Sequence, residues 1–185
     1  MTPAKRATSE RILAAAAGLF AANAYREISV DEIARAAGLT KVTVYQYFGS
    51  KEDLFLACLR MRLERREAML DRFLERLPAA SDPLLALFDW LEGWLDPANF
   101  KGCAFVKAVN ELSAAVPEVR AIAADAKQRI GERITALARA SGRPRPAELG
   151  QKLALLFEGA QSLALIEGSA HPARIARRIA AGLLG

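Results

Sequence analysis

A run of hydrogen-bonding side chains between Thr40 and Lys51 contains the residues whose types could carry out specific chemistry. Lysine donates hydrogen bonds and carries positive charge, while threonine and tyrosine hydroxyls both donate and accept. Side chains of this kind bind acceptor-rich or anionic partners. They do not include the pairing of a nucleophile with a base that covalent catalysis needs.

The rest of the sequence offers no catalytic or metal-binding alternative. It has one histidine, and its two cysteines, Cys58 and Cys103, lie far apart without the spacing of metal ligands or of a disulfide framework. It also lacks a glycine-rich phosphate loop and an acidic pair with a partner. We therefore predict a protein that is not an enzyme and that has no catalytic residue, no metal and no cofactor.

A short helix is predicted just before the run. Ser29 and Glu32 have the spacing of a capping box, in which each side chain satisfies a backbone N–H group near the other residue. The helix therefore begins at Val30, and Gly38 can end it because glycine tolerates the left-handed conformation. Thr40 can cap a second helix only two residues later.

The second helix must position the hydrogen-bonding side chains that follow Thr40. Its β-branched and aromatic residues would also suit a strand, but a single short strand would leave its backbone groups without partners. As a helix, the segment places Val44 and Phe48 on one narrow apolar stripe. The polar side chains then lie on the outer face.

Helical spacing continues through the rest of the chain, with Ser50 as the cap of the next helix and no run of strands. We predict an all-α fold of about nine helices. Residues 1–50 form a three-helix helix-turn-helix domain, and residues 51–185 form a larger helical bundle.

Charge and hydropathy point to an ordered, soluble protein. Of the 185 residues, 52% are hydrophobic and 25% charged, which argues against disorder. Residues 1–51 hold seven Lys/Arg against four Asp/Glu and so carry +3 of the net +5, which makes the amino end the candidate for contact with polyanions. The uncharged run from Ile12 to Ala24 could suggest a signal peptide, but Glu10 interrupts the basic region before it. No run is long enough for a membrane span, so we predict a cytoplasmic location.

The segment RILAAAAGLFAANAYREISVDEIARAAGLTKVTVYQYFGSKEDLFLACL resembles the TetR family of bacterial transcriptional regulators. Gly38, Tyr45, Phe48, Lys51 and Leu54 in one register carry the resemblance. It implies a DNA-binding domain of about fifty residues at the amino end. The segment that begins KGCAFVKAVNELSAAVPEVR resembles, more loosely, the effector-binding and dimerising part of one TetR subgroup.

One residue departs from the family pattern. Ala24 stands where members usually have glycine before the aromatic residue, here Tyr25. We expect Asn23 to take the left-handed turn instead, since asparagine tolerates that conformation.

The outer face of the second short helix can read DNA from the major groove. Lys41 can donate to guanine O6 or N7, Thr43 can bond a base edge or contact a thymine methyl, and Val42 can make only the apolar contact. The resemblance implies that both tyrosines reach phosphates and that Lys51 clamps a third; alternatively, the tyrosines only cover the small core. The predicted DNA-binding residues are Thr40, Lys41, Val42, Thr43, Tyr45, Tyr47 and Lys51.

One such helix reads too few base pairs for specificity, so a homodimer on a palindrome is expected. The apolar segment Leu153–Gly168 and the last amphipathic helix could build a four-helix interface, or the former could be an ordinary core helix. The predicted interface residues are Leu156, Ala160, Leu163, Ile175 and Ile179.

The helices between Ser81 and Ala140 could enclose a small-molecule effector, although aromatic residues at this spacing also suit plain core. Cys103 could sense electrophiles or oxidants, or be a small packed residue. The predicted pocket residues are Trp90, Trp94, Phe105, Asn110 and Phe157. We thus expect a ligand-responsive repressor without membrane association, and the alternative is a helical adaptor without specific DNA readout.

Overall fold

A computed structural model describes residues 2–185, which form nine α-helices and one short 3-10 helix, and no strand within that range. The predicted all-α fold of about nine helices is confirmed. The 3-10 helix is Tyr25–Glu27, and the α-helices are α1 (Pro3–Ala22), α2 (Val30–Ala37), α3 (Lys41–Phe48), α4 (Lys51–Glu75), α5 (Pro83–Trp94), α6 (Ala104–Leu112), α7 (Glu118–Ala140), α8 (Pro146–Glu167) and α9 (His171–Leu184).

The helices group into two compact units. Among the described residues, the first unit contains residues 2–64 together with Ala104–Ala123, and the second contains Arg65–Cys103 and Ala124–Gly185. The division therefore falls within α4 and within α7. The predicted functional boundary after residue 50 concerns DNA and effector binding, and it stays a prediction.

The first unit has a small core made by α1 to α4 and α6. Apolar residues of α1 recur every four positions and are buried, as the amphipathic spacing requires. The rings of Phe20, Tyr25 and Phe55 pack together, with centroids 4.9 to 5.8 Å apart. Other buried members of this core are Ile12, Ala16, Ile33, Val44 and Leu54.

The turn after α1 differs from the expectation. Asn23 has φ −127° and ψ 166°, which is extended backbone, so the predicted left-handed turn at this residue was wrong. The Asn23 side chain instead folds back, and its Nδ2 donates to the Leu19 carbonyl at 3.0 Å. The chain leaves α1 in an extended conformation that needs no glycine.

In the second unit, α9 packs against both α5 and α8. Its core is filled by large apolar side chains that include Leu84, Leu87, Phe88, Leu91, Leu153 and Phe157. Among residues 2–185, no helix is both long enough and apolar enough to cross a membrane.

Candidate nucleic-acid interface

The helix α2 is closed at both ends by the predicted residues. Ser29 N donates to Glu32 Oε2 at 2.7 Å, and Glu32 N donates to Ser29 Oγ at 3.2 Å. The hydrogen bonds that Ser29 N and Ser29 Oγ donate to the carboxylate hold the pKa of Glu32 below its usual value. Gly38 has φ 64° and ends the helix, while Arg11 of α1 donates to the Ala37 carbonyl at 2.8 Å. Local capping and one contact from α1 thus set where the turn to α3 begins.

The helix α3 begins with Thr40, whose Oγ1 accepts a hydrogen bond from Thr43 N at 3.2 Å. Val44 is 2% exposed and Phe48 is half-buried, as their four-residue spacing predicts. Packing of these two side chains holds a segment whose residues have weak helix propensity. The opposite side of α3 is left at the surface.

The predicted reading residues share this outer surface. Val42 is 65% exposed and Tyr45 is 40% exposed, and Lys41 is exposed as well. Thr43 and Tyr47 are half-buried on the flanks. An exposed valine on a helix this short leaves apolar surface in water without benefit to folding. The structure therefore places Lys41, Val42 and Tyr45 at the surface of α3, with Thr43 and Tyr47 at its edges, while their contacts with DNA stay a prediction.

Lys51 occupies a more enclosed position than predicted. Its Nζ donates to the Tyr25 carbonyl at 2.7 Å and lies 4.0 Å from the centroid of the Tyr25 ring. Burial lowers the pKa of Lys51. To bind a phosphate, the Lys51 ammonium would therefore have to leave Tyr25 or contact both groups. Its role in phosphate binding stays a prediction.

Tyr25 connects the first turn of α4 to the end of α1, which sequence reasoning did not predict. Its hydroxyl donates to Glu52 Oε1 at 2.7 Å. Burial, reinforced by the Glu52 carboxylate, raises the pKa of Tyr25 well above its usual value, and the hydrogen bond from Tyr25 lowers the pKa of Glu52. The signal in the sequence was the aromatic residue after Ala24, but its partners lie 26 and 27 residues away.

The predicted dimer interface falls on α8 and α9. Leu163, Ile175 and Ile179 are between 37% and 50% exposed, and Leu156 is half-buried. Ala160 is 3% exposed and packs in the core of the second unit, so its assignment to the dimer interface requires correction.

The two most exposed large apolar residues of α8 were missed. Leu155 is 76% exposed and Ile166 is 78% exposed, and they lie on the side of the helix opposite Phe157 and Ala160. The helix α8 therefore has two apolar sides, one in the core and one at the surface. The exposed side, with Leu163, Ile175 and Ile179, is termed the α8–α9 apolar face below.

The five predicted pocket residues are divided between the two units. Trp90 stacks on Trp94 and on Phe157 in the second unit, with ring centroids 6.0 and 6.3 Å apart. Phe105 is buried in the first unit, and Asn110 is exposed there. The tryptophan cluster remains a predicted effector site.

A cavity of about 620 Å³ lies between α4 and α7 within the second unit. Sequence reasoning missed it, because charged residues at helical spacing usually mark a solvated face. Two ion pairs cross it, from Arg129 to Glu67 at 3.3 Å and from Arg133 to Asp71 at 2.6 Å. Its lining residues are Arg66, Glu67, Leu70, Asp71, Asp125, Arg129, Ile130, Glu132, Arg133 and Ala136.

Cys103 is half-buried in the second unit beside a charged pair. Lys127 Nζ lies 3.2 Å from Cys103 Sγ and also bonds the Glu158 carboxylate. Cys58 is buried, and its Sγ lies 3.9 Å from the Leu13 carbonyl oxygen. A sensing role for Cys103 stays a prediction.

Residues 12–58 match the model of the bacterial regulatory proteins of the tetR family. A structure from Streptomyces avermitilis, assigned as a TetR transcriptional regulator, is 31% identical, with a TM-score of 0.67 over 88% of this chain and 88% of its own. A TetR transcriptional regulator from Chloroflexus aurantiacus is 27% identical, with a TM-score of 0.80 over 98% of this chain and 96% of its own. The HTH-type transcriptional regulator EthR of Mycolicibacterium smegmatis is 38% identical over 76 residues, which are 41% of this chain and 34% of EthR.

Helix order, the α2–turn–α3 geometry and these similarities define the class of protein. The chain belongs to the TetR family of transcriptional regulators. The prediction that it is not an enzyme is confirmed at the level of the family. The chain spans 34%, 35% and 39% of the length of three curated relatives that it matches.

Proposed function

We propose that this protein is a transcriptional repressor that binds a palindromic operator in duplex DNA as a homodimer and is released by a small-molecule effector. The observation that carries the proposal is the outer face of α3. There Lys41, Val42 and Tyr45 are exposed on a helix anchored by the buried Val44. This arrangement suits a helix that enters the major groove.

The reading face combines three kinds of contact. Lys41 donates to guanine, Val42 packs on a thymine methyl, and the Thr43 hydroxyl bonds a base edge. Tyr45 and Tyr47 reach phosphates beside them, and Thr40 caps the helix at its phosphate-facing end. Base contacts supply specificity and phosphate contacts supply affinity that depends on salt.

The α8–α9 apolar face supports the homodimer. Leu155 and Ile166 are more than three-quarters exposed on the same side of α8, and exposed apolar residues that lie together mark interaction sites. Ile175 and Ile179 extend the apolar surface along α9. A second copy packed on this face about a two-fold axis would bury α8 and α9 of both copies. The dimer would then present two α3 helices to the DNA.

The effector binds in the second unit. Two features there support this assignment: the aromatic cluster of Trp90, Trp94 and Phe157, and the charged cavity between α4 and α7. An effector lowers operator affinity if it binds more tightly to the arrangement of this unit that disfavours operator binding. The operator then weakens effector binding by the same coupling free energy.

Selection of bound sites from random duplex DNA tests the proposal with the full chain. We expect a palindrome with two equal half-sites, bound at least a hundredfold more tightly than an unrelated duplex at physiological salt. Lys41→Ala should remove a guanine preference from each half-site while the protein stays folded. Binding that is equal for all sequences, or recovery of one unpaired half-site, contradicts the proposal.

A further inference from the structure

The turn after α1 needs hydrogen-bonding partners from elsewhere in the fold. Asn23 and Ala24 are both extended, with ψ 166° and 149°. The Asn23 N–H group donates back to the Leu19 carbonyl at 3.0 Å, and the Ala24 N–H group donates to Glu27 Oε2 at 2.9 Å. A left-handed glycine would fold such a turn back on the helix carbonyls. Here the Asn23 carbonyl and the Tyr25 N–H group remain to be satisfied, since unpaired backbone groups are costly away from water.

Two charged side chains of α6 supply those partners. Lys107 Nζ donates to the Asn23 carbonyl at 2.8 Å, and Tyr25 N donates to Glu111 Oε2 at 2.8 Å. The two side chains are one helical turn apart, with Lys107 Nζ 3.9 Å from Glu111 Oε1, and they are only 36% and 24% exposed. Lys107 and Glu111 thus form a clasp around the turn, termed the α6 clasp.

Tyr25 also forms hydrogen bonds with the first turn of α4. The Tyr25 carbonyl accepts from Lys51 and the Tyr25 hydroxyl donates to Glu52, both in the first turn of α4. The helix α3 ends at Phe48, only three residues earlier. Displacement of Tyr25 would therefore move the point at which α3 is joined to α4.

We propose that Lys107 and Glu111 are positioning residues for the reading helix α3: they fix the Asn23–Tyr25 turn and, through Tyr25, the α3–α4 junction. This inference rests on the proposed DNA-binding function. Charge-assisted hydrogen bonds are the stronger class, so loss of both lets the turn sample other conformations. Binding of DNA must then restore one conformation of the turn. The free energy needed for this ordering is subtracted from the free energy of binding, so operator affinity falls.

The test uses full-length protein, the palindrome recovered by selection and an unrelated duplex, with affinity measured by fluorescence anisotropy. We expect Glu111→Gln and Lys107→Met each to weaken palindrome binding about fivefold, and the double variant about tenfold, with an unchanged salt slope. Lys107→Arg keeps a donor and should retain most of the affinity. Exposed charges removed elsewhere, in Glu64→Gln and Lys101→Met, serve as matched controls and should leave the palindrome affinity unchanged.

Amide hydrogen exchange provides the second measurement. The Tyr25 N–H group should exchange at least tenfold faster in Glu111→Gln than in wild-type protein, while the amides of α1 and α4 keep their protection. Unchanged palindrome affinity in the double variant contradicts the proposed positioning role of the α6 clasp. So does an affinity loss that merely follows a lower melting temperature, because that result indicates a structural role alone. If the wild-type protein selects no palindrome, the proposed function itself fails.

Discussion

Lys41 Nζ donates to Asp31 Oδ2 at 2.8 Å, so α2 holds the lysine that we propose reads guanine. The hydrogen bond and charge of Asp31 raise the pKa of Lys41. Both side chains are about half exposed, and ion pairs of this kind contribute little to stability. Lys41 can therefore leave Asp31 for a base acceptor at little cost in free energy. In the proposed complex, the Asp31 carboxylate would lie near the DNA backbone.

Asp31→Asn should strengthen binding to DNA of any sequence. The variant removes a carboxylate that opposes phosphates and frees Lys41 for them, so one more counterion is released on binding. We expect about threefold tighter binding to an unrelated duplex at low salt, and a salt slope steeper by about one unit. Anisotropy titrations over a range of salt concentrations measure both. A slope equal to those of wild-type protein and of the Glu64→Gln control would contradict this role for Asp31.

Val42→Ala should change specificity without changing stability. The side chain is 65% exposed, so its truncation removes no core packing. It removes apolar contact with a thymine methyl, which is worth about 1 kcal/mol of discrimination at one base pair of each half-site. Base preferences from site selection, with and without the substitution, measure the effect. An unchanged preference at every position would exclude Val42 from the reading face.

Val44→Ala makes the same chemical change two residues later in a buried position. Val44 is 2% exposed, so the loss of its two methyl groups should destabilise the first unit by about 2 kcal/mol. Urea unfolding measures the difference, and DNA binding should weaken for all sequences alike. A free energy of unfolding equal to that of Val42→Ala would show that Val44 does not anchor α3.

Glu52 should contribute an acid-sensitive part of the stability. Its pKa in the folded protein lies below the ordinary 4.5, chiefly because Tyr25 donates a hydrogen bond to the carboxylate. The unfolded chain therefore takes up this proton at a higher pH than the folded protein does. The contribution of Glu52 to the free energy of unfolding is present above pH 4.5 and is lost as the pH falls through the pKa of Glu52 in the folded protein. Glu52→Gln should flatten the decline in free energy of unfolding between about pH 6 and pH 3. Urea unfolding across that range tests it, and the Glu64→Gln control should decline as steeply as the wild type.

Charge on the α8–α9 apolar face should separate the dimer. Leu155→Glu and Ile166→Glu replace side chains that are 76% and 78% exposed, so the monomer tolerates both. In a dimer each glutamate would be buried without a partner, which is strongly unfavourable. Sedimentation velocity at about 10 µM should show a dimer for wild-type protein and a monomer for either variant. Met69→Glu, at a residue 48% exposed on α4, should remain dimeric, and a wild-type monomer would contradict the proposed interface.

The helix-turn-helix could be predicted from the sequence because its decisive interactions are local. The capping box of Ser29 and Glu32 joins residues three apart, and Gly38 ends α2 by its own backbone conformation. The spacing of Val44 and Phe48 then sets which side of α3 faces inward. The residues that set these features lie within a few positions of one another, although Arg11 of α1 also donates to the Ala37 carbonyl across 26 residues.

Tertiary structure alone decided the features whose partners are distant. Lys51 reaches the Tyr25 carbonyl across 26 residues, and Lys107 reaches the Asn23 carbonyl across 84. Periodicity could not tell which apolar side of α8 is buried, since Phe157 lies in the core while Ile166 lies in water. A helical repeat specifies directions around one axis, whereas burial and long-range hydrogen bonds depend on which other helices come to occupy those directions.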